Sequence, residues 1–291
     1  MTTPEDAAAR LLGRPVRDVT PVGGGCIGTG ARATTADGRT VFVKTMAAPP
    51  EGIFAAEAAS LRWLRAAGAV PVPEVLADGD DAIVLEWVAP GAPSRAAARR
   101  LGAGLAALHA AGADGFGASW PAYLGSLRLH NEPAPTFAEF YAHRRLLPCL
   151  RLAVDRGGVT AADARAVEQV ADRCADLVGP AEPPARVHGD LWSGNLHWAA
   201  DGTCRLIDPA AYGGHRETDL AMLTLFGAPH LDDVLRAYTD AAADLGRPLP
   251  DNWRTRLPLH QLLPLLAHAA LFGGGYGVEA GEAARSALLV G

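Results

Sequence analysis

Short runs of alternating apolar and polar residues fill the first ninety positions, and a helical period of apolar residues takes over beyond them. Val16–Val22, residues 31–35 and Thr40–Thr45 predict strands, with Asp37-Gly38 as a hairpin turn between the last two. Residues 8–13 predict a short helix. A longer one is expected over 53–67, ended by Gly68 ahead of Pro71 and Pro73. Two further strands, 75–77 and 82–87, flank the turn Asp78-Gly79-Asp80-Asp81. Pro90, Gly91 and Pro93 then mark a linker. Helices are expected at 94–110, 136–156, 161–178, 219–226, 232–245 and 258–271, with Ser94 and Thr136 as N-caps and one small strand near 205–207. No internal repeat or low-complexity tail is visible. The pattern predicts an α+β chain. Residues 1–88 would form a small lobe with a five-stranded antiparallel sheet and one helix, and residues 89–291 a large, mainly helical lobe.

Composition narrows the partners. At 291 residues the chain can build two lobes with a cleft between them. Apolar residues make up 49% and charged residues 20%, ordinary for a globular protein. The net charge is −6, and Arg99-Arg100 and Arg144-Arg145 are isolated basic pairs, so a nucleic-acid partner is not expected. Cysteines at 26, 149, 174 and 204 form no C-x-x-C pair. They predict neither zinc nor disulfides, and they fit a reducing cytoplasm. Residues 1–10 carry Glu5 and Asp6 and no apolar core, so no signal peptide is expected. The apolar stretch 262–272 holds Pro264 and His268 and is too short to span a bilayer, so no membrane partner is expected either. Lysine is scarce, which makes Lys44 conspicuous.

The chemistry concentrates in His188-Gly189-Asp190-Leu191-Trp192-Ser193-Gly194-Asn195, followed by Leu206-Ile207-Asp208-Pro209. An Asp, an Asn five positions on and a second Asp closing an apolar run form the layout of a phosphoryl-transfer site. Asp190 can accept the proton of an attacking hydroxyl. Asn195 and Asp208 offer hard oxygens to Mg²⁺ on nucleotide phosphates. Upstream, Gly23-Gly24-Gly25-Cys26-Ile27-Gly28 lets backbone N–H groups approach phosphates, since no Cβ intervenes. Lys44 ends the strand Val41-Phe42-Val43, where an ammonium can meet the phosphates of ATP. Glu57 on the following helix can pair with it. Glu86-Trp87-Val88 falls where the lobes join, and its backbone would hydrogen-bond adenine. Cys26 has no basic neighbour and reads as a spectator thiol. His188 is expected to orient the loop, and Trp192 to wall the substrate or anchor the core. Asp219 should N-cap its helix and brace the loop. Tyr212 and His215 are further candidates for the substrate side.

These residues resemble the fructosamine/ketosamine kinases, relatives of the aminoglycoside phosphotransferases and choline kinases. The resemblance rests on 188–195 with its Leu-Trp-Ser-Gly filling, on Asp208-Pro209-Ala210, and on Tyr212-Gly213-Gly214-His215-Arg216-Glu217 with Asp219-Leu220-Ala221-Met222. It extends to Gly23–Ile27, Phe42-Val43-Lys44, residues 137–156 and Leu271-Phe272-Gly273-Gly274-Gly275-Tyr276, nearly the whole chain. It implies a bilobal protein-kinase-like fold and ATP- and Mg²⁺-dependent phosphorylation of the 3-hydroxyl of a ketosamine. Elimination of the 3-phosphate would then free the amine. Small ketosamines or glycated proteins would be the partners, with the enzyme a monomer or weak dimer. In the resemblance Asp190 is the base, Asn195 and Asp208 hold the metal, and Lys44 with Glu57 positions the phosphates. A kinase for another small molecule, such as an aminoglycoside or amino alcohol, is the alternative. A non-catalytic pseudokinase is disfavoured by the presence of all five residues.

Overall fold

The computed structural model describes residues 3–23 and 28–290. Helix α1 (Pro4–Leu12) begins four residues before the stretch expected at 8–13. Thr3 accepts from the Asp6 N–H, Pro4 needs no N–H partner, and Gly13 closes the helix in the left-handed conformation. Strands β1 (Val16–Val22), β2 (Thr29–Thr35) and β3 (Thr40–Thr45) follow, then α2 (Ile53–Ala66), β4 (Val75–Asp78) and β5 (Ala82–Glu86). The five strands form one antiparallel sheet in the order β1-β2-β3-β5-β4. Alternation along β3 sends Val41 and Val43 into a cluster with Ala8 of α1. Phe42 and Lys44 therefore face the opposite side, toward a cleft.

Past Glu86 the chain crosses to the helical part, and the crossing is laced to it. Gly91 donates to the Trp198 carbonyl at 2.7 Å, Ala200 to that of Ala89 at 2.9 Å, and His197 Nε2 to that of Val88 at 3.1 Å. The helical part runs α3 (Arg95–Ala110), hairpin β6 (Ala122–Leu124) and β7 (Leu127–Leu129), α4 (Phe137–Tyr141), α5 (Leu147–Asp155), α6 (Ala161–Asp172) and α7 (Cys174–Leu177). Then come β8 (Ala185–Val187), β9 (Leu196–Trp198), β10 (Cys204–Leu206), β11 (Tyr212–Gly214), α8 (Glu217–Phe226), α9 (Leu231–Asp244), α10 (Leu257–Phe272) and α11 (Tyr276–Leu288). Ser94 and Thr136 cap α3 and α4 as expected. The helix expected over 136–156 is interrupted by a π turn, Ala142–Leu146. Pro148 has no N–H to return to the Arg144 carbonyl, which accepts instead from Arg145 Nη1 at 3.1 Å. One buried cluster gathers α4–α6, α10 and α11. Another runs from Leu61 and Leu85 through Leu101, Leu206 and Leu223, joining sheet and helices. Among the described residues no helix is long and apolar enough to cross a membrane.

Candidate active site

The loop between β8 and β9 carries Asp190 and Asn195, and its shape follows from three constraints. First, β8 pairs with β11, opposing Val187 to Tyr212. Second, Gly189 takes a positive φ of 80°, and a Cβ there would lie 2.3 Å from the Ala210 carbonyl oxygen, so only glycine fits. Third, the buried Asp219 carboxylate accepts from the N–H groups of His188 at 2.7 Å and Gly189 at 2.9 Å, and it contacts His109 Nε2 at 3.1 Å. Burial pushes the Asp219 carboxyl up, but the bond to His109 and those from the backbone N–H groups of the loop outweigh it and hold it below the ordinary range. Asp219 is not the N-cap expected. Helix α8 begins at Glu217, which places Asp219 inside the first turn, and there it braces the loop.

His188 fixes the next residue. Its Nδ1 accepts from the Asp190 N–H at 3.2 Å, leaving Nε2 to donate to the Ile207 carbonyl at 3.0 Å. Burial lowers its pKa, so the ring is a neutral spacer. Asn195 Nδ2 donates to Asp190 Oδ2 at 2.9 Å and to the Asp190 carbonyl at 2.8 Å. That orientation leaves the Asn195 amide oxygen to face elsewhere. Burial pushes the Asp190 carboxyl up to about 7, against the opposing Asn195 bond. Asp208 sits at φ 52°, a left-handed conformation rare for a non-glycine residue, at the end of β10.

Lys44 is the only lysine in the chain. Its ammonium lies 2.9 Å from Glu57 Oε2 on α2 and 3.0 Å from Asp208 Oδ1. Burial would lower the Lys44 pKa, but the carboxylates of Asp208 and Glu57 together raise it, so the group stays charged. Burial pushes the Glu57 carboxyl up against the pull of Lys44, and its Oε1 is buried without a hydrogen-bond partner.

These groups open onto one cleft of about 600 Å³. Gly23, Gly28, Lys44, Glu57, Glu86, Trp87, Val88, Asp190, Trp192, Asn195 and Asp208 all line it. Gly24, Gly25, Cys26 and Ile27 lie outside the described residues. Glu86 is held by Arg205 Nη1 at 2.8 Å. Trp192 meets the Phe226 ring edge-on, with centroids 6.3 Å apart.

Two substrate candidates are corrected. Tyr212 is buried, with the Arg145 guanidinium 4.4 Å from its ring centroid and Phe140 beside it. His215 is buried in a stack with His260 and Phe137, centroids 5.1 and 5.3 Å away. Neither lines the cleft, because β11 and the loop after it turn their side chains back into the core. Residues that the sequence did not offer as site candidates line the cleft instead: Tyr123 and Leu124 of the β6 hairpin, Met222 of α8, and Ala267, His268, Leu271 and Phe272 of α10. Helix α10 is apolar on nearly all sides, so its periodicity marks no cleft-facing stripe.

An ammonium on a sheet strand, paired to a helix carboxylate and brought within 3.0 Å of an acidic residue from the helical part, places the chain among phosphotransferases of protein-kinase-like fold, enzymes that act on a hydroxyl. A sequence model of the fructosamine kinase family matches residues 2–289, and the chain belongs to that family. A solved structure described as a candidate fructosamine-3-kinase from Thermobifida fusca is 46% identical, covers 99% of both chains and superposes with a TM-score of 0.91. A protein named a probable ketoamine kinase from Synechocystis sp. is 34% identical over 97% of this chain and 95% of its own length. The chloroplastic protein-ribulosamine 3-kinase of Arabidopsis thaliana is 31% identical over 88% of this chain and 78% of its own.

Proposed function

We propose that this chain transfers the γ-phosphoryl group of ATP to the 3-hydroxyl of a ketosamine, the sugar–amine adduct left by Amadori rearrangement. The phosphate ester then eliminates and releases the amine, so the activity repairs glycated amines, as free small molecules or as lysines of proteins. The enzyme works as a monomer or weak dimer in the reducing cytoplasm, which suits the free thiols of Cys149, Cys174 and Cys204, all buried. The observation that carries the reading is the contact of Lys44 with both Glu57 and Asp208 on the same cleft as Asp190.

A sugar hydroxyl is a weak acid, and phosphoryl transfer has a loose transition state, so orientation and charge neutralisation dominate. Asp190 accepts the hydroxyl proton, and general-base assistance of this kind contributes about 10²–10⁴-fold. A carboxyl near 7 is matched to that task, because it is ionised in part yet basic enough to take a proton. Lys44, kept charged by its two carboxylates, supports the phosphates. The backbone of 86–88 would receive the adenine. The donor set suits Mg²⁺: the amide oxygen of Asn195, left over once its Nδ2 bonds Asp190, and the Asp208 carboxylate are hard oxygens of residues that line the same cleft. Bound there, the ion would neutralise charge on the phosphates. Gly23 and Gly28 flank the loop expected to cover them.

The test is an ADP-release assay over synthetic ribulosamines, erythrulosamines, fructosamines, aminoglycosides and choline, with the phosphorylated position read by NMR. Turnover of a ketosamine with phosphate on the 3-oxygen is expected. Turnover of aminoglycosides or choline alone would replace the reading, and intact ATP binding with no turnover would leave a pseudokinase.

A further inference from the structure

We propose that Trp120 and Arg186 are positioning residues that hold α2, and through it Glu57, in place against Lys44. The proposal deepens the phosphate-binding reading of Lys44. Its starting point is an electrostatic problem. Glu57 is 7% exposed, and its Oε1 has no hydrogen-bond partner. A buried carboxylate with an unsatisfied oxygen gains hydration by moving toward water, so α2 has reason to drift outward and take Glu57 from Lys44. Something must oppose that drift.

Three fastenings from the helical part run the length of α2. Just ahead of the helix, the Tyr123 hydroxyl donates to the Glu51 carbonyl at 2.7 Å. In the middle, Trp120 Nε1 donates to Ser60 Oγ at 3.1 Å, and Ser60 is 1% exposed. Near the end, Arg186 Nη1 donates to the Trp63 carbonyl at 2.6 Å, with its guanidinium 4.4 Å from the Trp63 ring centroid. Trp63 and Trp120 meet edge to face, centroids 5.5 Å apart, so the middle and end fastenings form one stack. Ser60 lies three residues after Glu57, on the same face of the helix, so the Trp120 bond acts one turn from the carboxylate. Arg186 belongs to β8, four residues ahead of Asp190. The same strand therefore aims the catalytic loop and anchors the helix. The Lys44 pair is thus assembled by packing within the chain, with no added ligand required to draw α2 in.

Trp120→Phe removes the indole N–H but keeps a ring, Arg186→Lys removes the planar stack but keeps a charge, and Tyr123→Phe removes only a hydroxyl. Lys44 is the only lysine of the wild type, and its peptide is separate from the one that carries position 186, so its acetylation by acetic anhydride in the absence of nucleotide can be followed by peptide mass spectrometry in every variant. Trp120→Phe and Arg186→Lys should acetylate Lys44 about 3- to 10-fold faster than the wild type, and raise KM for ATP by a similar factor, as befits the loss of one hydrogen bond. KM for the ketosamine should be unchanged. Tyr123→Phe should speed acetylation in the same direction. Unchanged acetylation and ATP KM in folded variants whose melting temperature alone falls would overturn the proposal. Should no form turn over a ketosamine, the kinase reading fails while the acetylation rates still decide whether α2 is clamped.

Discussion

Asp190 and Gly189 are neighbours with different reasons for being irreplaceable. Asp190→Asn preserves shape and the Asn195 contact but removes the proton acceptor. It should lower kcat by about 100-fold or more while calorimetry still records Mg-ATP binding; near-full activity would remove Asp190 from the role of base. Gly189→Ala would drive a methyl group to within 2.3 Å of the Ala210 carbonyl oxygen at a φ of 80°. Strain of that kind should cost about 2 kcal/mol or more of stability in denaturant unfolding. Unaltered stability would mean that the loop can shift freely. At this scale the sequence is legible where chemical type and spacing carry the meaning. Asp190, Asn195 and Asp208 lie close together in the chain, and Lys44 stands out because it has no competitor. Direction is what residue type does not carry. Tyr212 and His215 follow Asp208 by four and seven residues, yet they face the core.

Among the elements, β1 and β3 match the expected strands residue for residue, because β-branched residues and turns bound them sharply. Strands of three residues, such as β6, β7, β8 and β11, are too short to display a period. Helix α11 escaped notice because Gly277 and Gly281 lower its helical propensity. Both are packing residues: a Cβ on Gly277 would lie 1.9 Å from the Gly158 carbonyl oxygen, and one on Gly281 would lie 2.0 Å from the Asp163 carboxylate.

The joint between α8 and α10 carries its own prediction. Glu217 is gripped by Arg256, whose Nε lies 2.9 Å from Oε2, and by His260, while His215 stacks alongside. Burial, then the charge of His260, lowers the His215 pKa to about 3. The unfolded chain therefore takes up a proton near 6.5 that the folded chain refuses, and stability falls as pH drops from about 6.5 toward 3. For Glu217, burial pushes upward but the nearby His260 and the bonds from Arg256 prevail, leaving it at about 2. The folded carboxylate stays ionised while the unfolded one protonates below about 4.5, so a second loss sets in between there and 2. Asp190, raised by burial to about 7, adds stability as pH falls over the same upper range, so the His215 part is read by difference. His215→Gln should lose less melting temperature than the wild type between about pH 6.5 and 4.5, and both should decline more steeply below about 4.5. A pH profile unchanged by His215→Gln would contradict this assignment.

Across the whole molecule, the sheet and the helices are tied on two sides of the cleft, by the lacing between 88–91 and 197–200 and by the fastenings on α2. A shared apolar cluster runs between them. Such a frame can keep a charged pair set between visits of the nucleotide, which is the preorganisation that electrostatic catalysis requires.

Lysine usage has a consequence of a different kind. Open-chain sugars condense with uncharged primary amines, and every long basic side chain here except Lys44 is an arginine. Lys44 itself is walled in and held protonated by two carboxylates. Apart from its α-amino group, the protein offers a reducing sugar no accessible primary amine with which to form a ketosamine. An agent of sugar-damage repair would thereby be exempt from the damage it repairs. Brief incubation with ribose should leave no ketosamine adduct on any side chain by mass spectrometry, whereas exchanging the exposed Arg165 for lysine should admit one at that position. An adduct on Lys44 would show that this shelter leaks.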